Sequence, residues 1–359
     1  MTEFSASVLT WFRENGRELP WRGTRDPYAV WLSEIILQQT QVKQGWEYWQ
    51  RFMRRWPTVE QLAAATEDEV LREWQGLGYY SRARNLHFAA RQIVGMGGFP
   101  QTLDGIRQLK GVGDYTAAAI GSIAFGLPAA VVDGNVYRLL SRYFGIDTPI
   151  NTSQGKKVFT ALAQSLLPEA PAATAALSET GSIYGEFNQA MMDFGAMQCT
   201  PQSPRCPLCP LQDSCVALRE GRIGQLPVKR KTLKVKERHL VYVYVRWQGM
   251  TAIRRRPAGD IWQGLWEPLL IESEPAAPLG TDITPNRLSI SNTQHIITAS
   301  QLIKKGVRHV LTHRVLYADF YLWEPAEKPA LPAGYIWIAE SDIDSYAVPR
   351  LVEQLLSAL

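Results

Sequence analysis

All four cysteines of the 359-residue chain, Cys199, Cys206, Cys209 and Cys215, fall inside one 17-residue window. No other feature constrains the fold as strongly. A Cys-x2-Cys pair is a compact turn that offers two thiolates to one centre, and the two flanking cysteines complete a soft donor set. Cysteines clustered in this way read as metal ligands before disulfides. Four thiolates suit tetrahedral zinc and an iron–sulfur centre alike, and either would be structural here.

At 359 residues the chain is long enough for two hydrophobic cores, so two domains are expected. With 46% hydrophobic and 20% charged residues it is unlike a disordered chain. The net charge of +4 permits a polyanionic partner without demanding one. No apolar stretch approaches the roughly 20 residues that span a bilayer, and MTEFSASVLTWF lacks a basic segment leading into an apolar core. A cytoplasmic protein is expected.

From the start to about residue 218 the apolar spacing is helical, with Ala-rich runs such as AALSET and TAAAIGSIAF and a capping box at Thr66 and Glu69. This predicts an all-α domain over 1–218. Residues 219–238 hold eight Lys and Arg against two Glu, contain Pro227 and lack an apolar face. They read as a basic linker, either a soluble tether or a strap along phosphates. Beyond it HLVYVYVRW, MTAIRRR, HVLTHRVLYADFYLW and GYIWIAE have strand texture, and VPRLVEQLLSAL has helical spacing. Residues 239–359 should therefore form a mixed α and β domain with a terminal helix on the sheet.

Three places carry chemistry. In LKGVGDYTAAAI the glycines Gly111 and Gly113 precede an Ala-rich helix, as in an ordinary interhelical turn or one whose amides approach an anion. In AAVVDGNVYRLLSR, Asp133 follows an apolar run at the start of a helix. An N-cap carboxylate there is rigid and ionised, as a group that stabilises a cation must be. Glu34 lies among Val30, Trp31, Ile35, Ile36 and Leu37. If it is a buried acid rather than a surface glutamate, desolvation raises its pKa towards that of a general acid at neutrality.

Several blocks occur in one order: LPWR at Leu19–Arg22, WLSEIILQQTQV, GLGYYSRARNLH, LKGVGDYT, VVDGNV, FNQAMMDFGAMQC and the four cysteines. Over nearly all of the first 218 residues the chain resembles the MutY-type adenine DNA glycosylases, helix-hairpin-helix enzymes of the endonuclease III superfamily. The resemblance implies one [4Fe–4S] cluster on Cys199, Cys206, Cys209 and Cys215, and a DNA phosphate held by the amides at Gly111 and Gly113. Glu34 would protonate adenine at N7, and Asp133 would stabilise the oxocarbenium-like sugar. Tyr115 and Asn135 would position sugar and water. Trp21, Arg22 and Gln189 would line the adenine pocket, while Gln38 and Tyr79 enter the duplex from which the base is flipped. Two residues depart from the family pattern around the hairpin: Lys110 stands where Pro is usual, and Asp114 puts an acid near the phosphate.

Bifunctional relatives carry a lysine where this chain has Tyr115, so little lyase activity is implied. RRRPAGDIWQGLWEPLL and RHVLTHRVLYADF resemble the Nudix-like C-terminal domain of the family, without the REx2ExE cluster of a Nudix hydrolase. Leu311, Thr312 and His313 replace the usual Phe-Ser-His, and Thr312 keeps a hydroxyl for the lesion while Leu311 cannot stack. The expected fold is thus multidomain, α and α/β: an all-α glycosylase domain with an iron–sulfur loop, then a Nudix-like α+β domain. The expected function is that of a monofunctional glycosylase removing adenine opposite 8-oxoguanine or G from double-stranded DNA in base excision repair. A bacterial-type, nucleoid-associated monomer is expected, with a sliding clamp and an abasic-site endonuclease as candidate partners. The rival readings are a thymine glycosylase acting on T:G, a non-catalytic damage sensor and a Nudix hydrolase.

Overall fold

The computed structural model describes residues 1–169, 182–230, 235–273, 288–289, 296–297 and 300–359. The AALSET run and residues 231–234 of the basic segment lie outside them. Contacts divide the chain into one unit of Met1–Ala64 with Asn85–Lys231 and another of Ala65–Arg84 with Thr232–Leu359.

The described helices before the sheet are α1 (Glu3–Asn15), α2 (Pro27–Leu37), α3 (Val42–Arg55), α4 (Val59–Ala64), α5 (Glu67–Trp74), α6 (Ser81–Gly95), α7 (Leu103–Arg107), α8 (Asp114–Ala124), α9 (Gly134–Phe144), α10 (Ser153–Ser165), α11 (Ile183–Asp193) and α12 (Val216–Arg219). No described residue of the N-terminal unit lies in a strand, as the helical spacing predicts. Side-chain oxygens of Thr2, Asp26, Thr102, Asp133, Thr152 and Ser182 accept from first-turn amides and so begin six of these helices. In α2 every residue from Tyr28 to Ile36 is buried, which makes it the unit's central helix, packed on α3 and α8. A second cluster joins α1, α9, α10 and α11 through Phe4, Val8, Leu140, Phe159 and Phe187. Each such side chain stabilises the fold by about 1.5–3 kcal/mol.

The basic segment is more firmly held than its composition suggests. Leu226 is buried, the Ile150 amide donates to the Val228 carbonyl at 3.0 Å, and the Asn151 side chain exchanges two hydrogen bonds with the Arg230 backbone. Described residues up to Arg230 accordingly group with the N-terminal unit.

The C-terminal unit is built on a seven-stranded sheet, in which β1 (Lys236–Trp247), β2 (Met250–Arg255), β3 (Trp266–Glu267), β4 (Leu269–Ser273), β7 (Gln301–Leu311), β8 (Arg314–Trp323) and β9 (Tyr335–Ala339) take part. The order is β3-β2-β1-β8-β7, with β4 paired to β1 and β9 to β2. A two-stranded ribbon of β5 (Leu288–Ser289) and β6 (Ile296–Ile297) is separate. Strand β1 runs parallel to β8 from Lys236↔Arg314 to Val245↔Trp323. Its alternation sorts two cores: Leu240, Tyr242 and Tyr244 pack with Phe320 and with Leu351, Val352 and Leu355 of α13 (Arg350–Leu356), whereas Val241, Val243 and Val245 pack with Leu269 and Tyr321. The mixed α and β character and the terminal helix both follow the sequence reading.

A continuous N-terminal domain is not how residues 65–84 group. Gln75 donates to Glu353 at 2.6 Å and accepts from the Val348 amide, Arg84 donates to the Gln263 carbonyl at 2.6 Å, and Arg255 pairs with Glu67 at 2.9 Å. These contacts place α5 and the start of α6 with the sheet. Among the described residues no helix is long and apolar enough to cross a membrane.

Candidate active site

Helix α2 starts cleanly because Asp26 accepts from the Tyr28 amide at 3.0 Å and Pro27 fills the first position. Two turns later it places Glu34 in the core, 7% exposed. The Tyr115 hydroxyl, from the first turn of α8, donates to Glu34 Oε2 at 2.9 Å. Burial pushes the Glu34 carboxyl from 4.5 up to about 7; the Tyr115 hydrogen bond opposes this, Asp133 adds to it and Arg22 opposes it weakly. Burial likewise keeps Tyr115 protonated, well above its ordinary range.

Asp133 caps α9. Its Oδ1 accepts from the amides of Asn135 at 2.9 Å and Val136 at 2.8 Å, and its Oδ2 accepts from Asn135 Nδ2 at 2.7 Å. Burial raises this carboxyl too, but three donors favour its charged form, against one for Glu34. The donors thus favour the charged form more at Asp133 than at Glu34.

Both line a cavity of about 190 Å³, with Trp21, Arg22, Tyr115, Asn135 and Gln189 also in its wall. Trp21 is fixed edge-on by Trp46 and Trp49 at 6.1 and 5.8 Å. Arg22 is held by the fully buried Asp193 through two bonds of 2.7 Å, and Arg17 grips the same carboxylate. Burial alone would raise Asp193, yet the two guanidinium groups hold it below the usual range. A second cavity of about 310 Å³ shares Glu34, Tyr115 and Asp133 with the first and is lined as well by Gln38, Gln39 and Tyr137. Gln38 donates to Thr116 Oγ1 at 3.2 Å.

The hairpin glycines lie between α7 and α8. Gly111 has φ +81°, and an added Cβ would come within 2.8 Å of Asn85, so glycine is required there. Of the two departures nearby, the Lys110 amide donates to Gln92 at 2.8 Å and Asp114 is matched by Arg107 at 3.0 Å.

In the C-terminal unit the hydroxyl of Tyr79 hydrogen bonds with that of Thr312. Tyr79 has φ +48° and is 47% exposed, with the Arg82 guanidinium 5.6 Å from its ring centre. His313 is exposed in the turn, where its carbonyl accepts from the Lys236 amide at 3.0 Å. The structure thus brings Tyr79 to Thr312 and gathers Trp21, Arg22, Glu34, Tyr115, Asp133, Asn135 and Gln189 around one cavity.

All four cysteines line another cavity, walled by apolar groups such as Leu139, Phe194 and Leu211. Among the described residues no group of three or more Cys, His, Asp or Glu side chains is arranged to hold a single metal ion. Arg142, 3% exposed, reaches Cys199 Sγ at 3.5 Å and donates to the carbonyls of Thr200, Pro201 and Leu226. Four soft donors around one apolar cavity with a buried cation beside them fit an iron–sulfur group. Arg138 joins this loop to the first cavity, donating to the carbonyls of Cys199 and Gly195 at 2.7 and 2.6 Å and to Asn135 Oδ1 at 2.9 Å. Sequence reasoning missed Asp193, Arg17 and Arg138. The only signal for Asp193 was a lone acid amid the apolar residues of FNQAMMDFGAM.

Residues 32–167 match the family model described as HhH-GPD superfamily base excision DNA repair protein, 199–215 that of the iron–sulfur binding domain of endonuclease III, and 241–358 that of the NUDIX domain. The chain is 35% identical over 266 residues to an adenine DNA glycosylase of Buchnera aphidicola from Schizaphis graminum, covering 73% of each chain. It is 42% identical over 238 residues to the adenine DNA glycosylase of Mus musculus, covering 63% of this chain and 44% of that one, so it spans less than half of the mouse protein. A solved thermostable thymine-DNA glycosylase is 31% identical with a TM-score of 0.53, over 60% of this chain and 95% of that one.

Proposed function

The chain belongs to the adenine DNA glycosylase family, and from that premise we propose that it hydrolyses the bond between adenine and deoxyribose where adenine faces 8-oxoguanine or G in duplex DNA. The observation that carries this reading is one cavity walled by a buried acid near neutrality, Glu34, and a thrice hydrogen-bonded carboxylate, Asp133. A flipped adenine enters between Trp21, Arg22 and Gln189. Glu34 gives its proton to N7, and the glycosidic electron pair leaves with the base. The Asp133 carboxylate stabilises the positive sugar that remains, water adds at C1′, and a proton is released. Tyr115 holds Glu34, and Asn135 holds Asp133. Among the described residues no lysine lines either cavity, which supports hydrolysis without a Schiff base and hence without strand cleavage.

Cys199, Cys206, Cys209 and Cys215 would hold one [4Fe–4S] cluster, which would supply a structural cross-link of the loop. Tyr79 and Thr312 are the groups we assign to the base opposite adenine. The test is single-turnover cleavage of duplexes with A opposite 8-oxoguanine, A opposite G and T opposite G, with hot alkali revealing abasic sites. Preferential loss of A opposite 8-oxoguanine is the expected result. Preference for T opposite G would make the chain a thymine glycosylase, and binding without cleavage would leave a damage sensor.

A further inference from the structure

The second cavity adjoins the first. Glu34 and Asp133 stand in the walls of both cavities, so a bond that they cleave together lies where the cavities meet. With the base on the Trp21 side, the sugar and its phosphates fall on the side of Gln38, Gln39 and Tyr137. Among the described residues no arginine or lysine lines that side, and two carboxyls do. A phosphate there must be met by neutral donors.

Gln38 is engaged with Thr116. Tyr137, one turn into α9, packs its ring edge-on against the fully buried Phe159 at 5.2 Å, and its hydroxyl hydrogen bonds to no described residue. Partial burial raises its pKa, so the group remains a donor throughout the neutral range. The ring is therefore fixed while its donor is uncommitted.

Resting on the glycosylase reading, we infer that the Tyr137 hydroxyl donates to a phosphate flanking the extruded nucleotide and so holds the sugar against Asp133. A neutral donor suits this place. A cation there would also stabilise the ionised form of Glu34 and remove the acid that the base requires.

The experiment compares wild type with Tyr137→Phe, which retains the ring on Phe159. Substrates are duplexes with A opposite 8-oxoguanine whose two phosphates beside the adenosine are native or, one at a time, neutral methylphosphonates. On the native duplex the variant should lose about tenfold in binding or single-turnover rate, as expected for one hydrogen bond to a charged group. The deficit should vanish when the contacted phosphate is the neutral one. Equal deficits on native and both substituted duplexes, or no deficit at all, would overturn the inference while leaving the glycosylase reading intact. A wild type that releases no adenine would overturn both.

Discussion

Replacing Glu34 with Gln should abolish base release and at the same time stabilise the protein at neutral to alkaline pH. The Glu34 carboxyl titrates at about 7 in the fold against 4.5 in the open chain, chiefly because burial disfavours its charge. Between those values the folded state binds more protons than the unfolded one, so wild-type stability is fully present below about pH 4.5 and declines as pH rises through 7. At 1.36 kcal/mol per unit the decline reaches about 3 kcal/mol by pH 8. A glutamine has the same shape, can accept from the Tyr115 hydroxyl and does not titrate. The two proteins should therefore unfold alike near pH 5, and the glutamine variant should gain up to about 3 kcal/mol by pH 8. Denaturant unfolding followed by tryptophan fluorescence at a series of pH values measures this directly. Wild-type base release should fade above about pH 7 over the same titration. Parallel stability profiles for the two proteins from pH 5 to 8 would refute the claim that burial makes Glu34 an acid weak enough to hold its proton near neutrality.

Asp193→Asn leaves Arg17 and Arg22 gathered around a neutral amide; a loss of about 3 kcal/mol in unfolding free energy is expected, with slower base release because Arg22 lines the first cavity. In Gly195→Ala the new methyl would lie 2.6 Å from the Asn135 carbonyl oxygen, so the backbone must shift; about 1–3 kcal/mol of destabilisation and a lower single-turnover rate should appear together. Thr312→Val removes the partner of the Tyr79 hydroxyl at an exposed site. Its stability should change by less than about 0.5 kcal/mol, while the ratio of rates on A:8-oxoguanine and A:G falls several-fold.

Much of this arrangement is legible locally. The carboxylate cap at Asp133, the capping box of Thr66 and Glu69 and the two-residue alternation of β1 depend on neighbours in sequence, and each is present. The burial of Glu34 was legible as a tendency, because an acid flanked by Trp31, Ile35 and Ile36 has few ways to reach water. What could not be read were pairings across long stretches of chain. Gln75 and Glu353 are 278 residues apart, and Arg84 and Gln263 are 179 apart; these bonds assign the end of α5 and the start of α6 to the C-terminal unit although their own helical pattern says nothing of it. Arg138 and Arg142 look like surface charges of an amphipathic helix until carbonyls of the cysteine loop are seen to meet them.

Three carboxyls of the N-terminal unit show how the same folding cost yields opposite chemistry. Each is desolvated, which alone raises its pKa. Asp193 meets two guanidinium groups and a backbone amide and is driven below its usual range. Asp133 meets three neutral donors, which oppose the rise that burial causes. Glu34 meets a single hydroxyl and is raised most, to about 7. The donors oppose burial in each case, and the two charged ones at Asp193 are the ones that outweigh it. This explains why the cation nearest the acid is tied to Asp193: a carboxylate that occupies Arg22 on two sides keeps the guanidinium from ionising Glu34, while leaving it in the wall where a purine could meet it. Asp193 thus acts on the acid at second hand, and its loss should lower the pH at which activity falls as well as the rate itself. A variant Asp193→Asn whose pH profile matched that of wild type would sever this link between the buried ion pair and the acid.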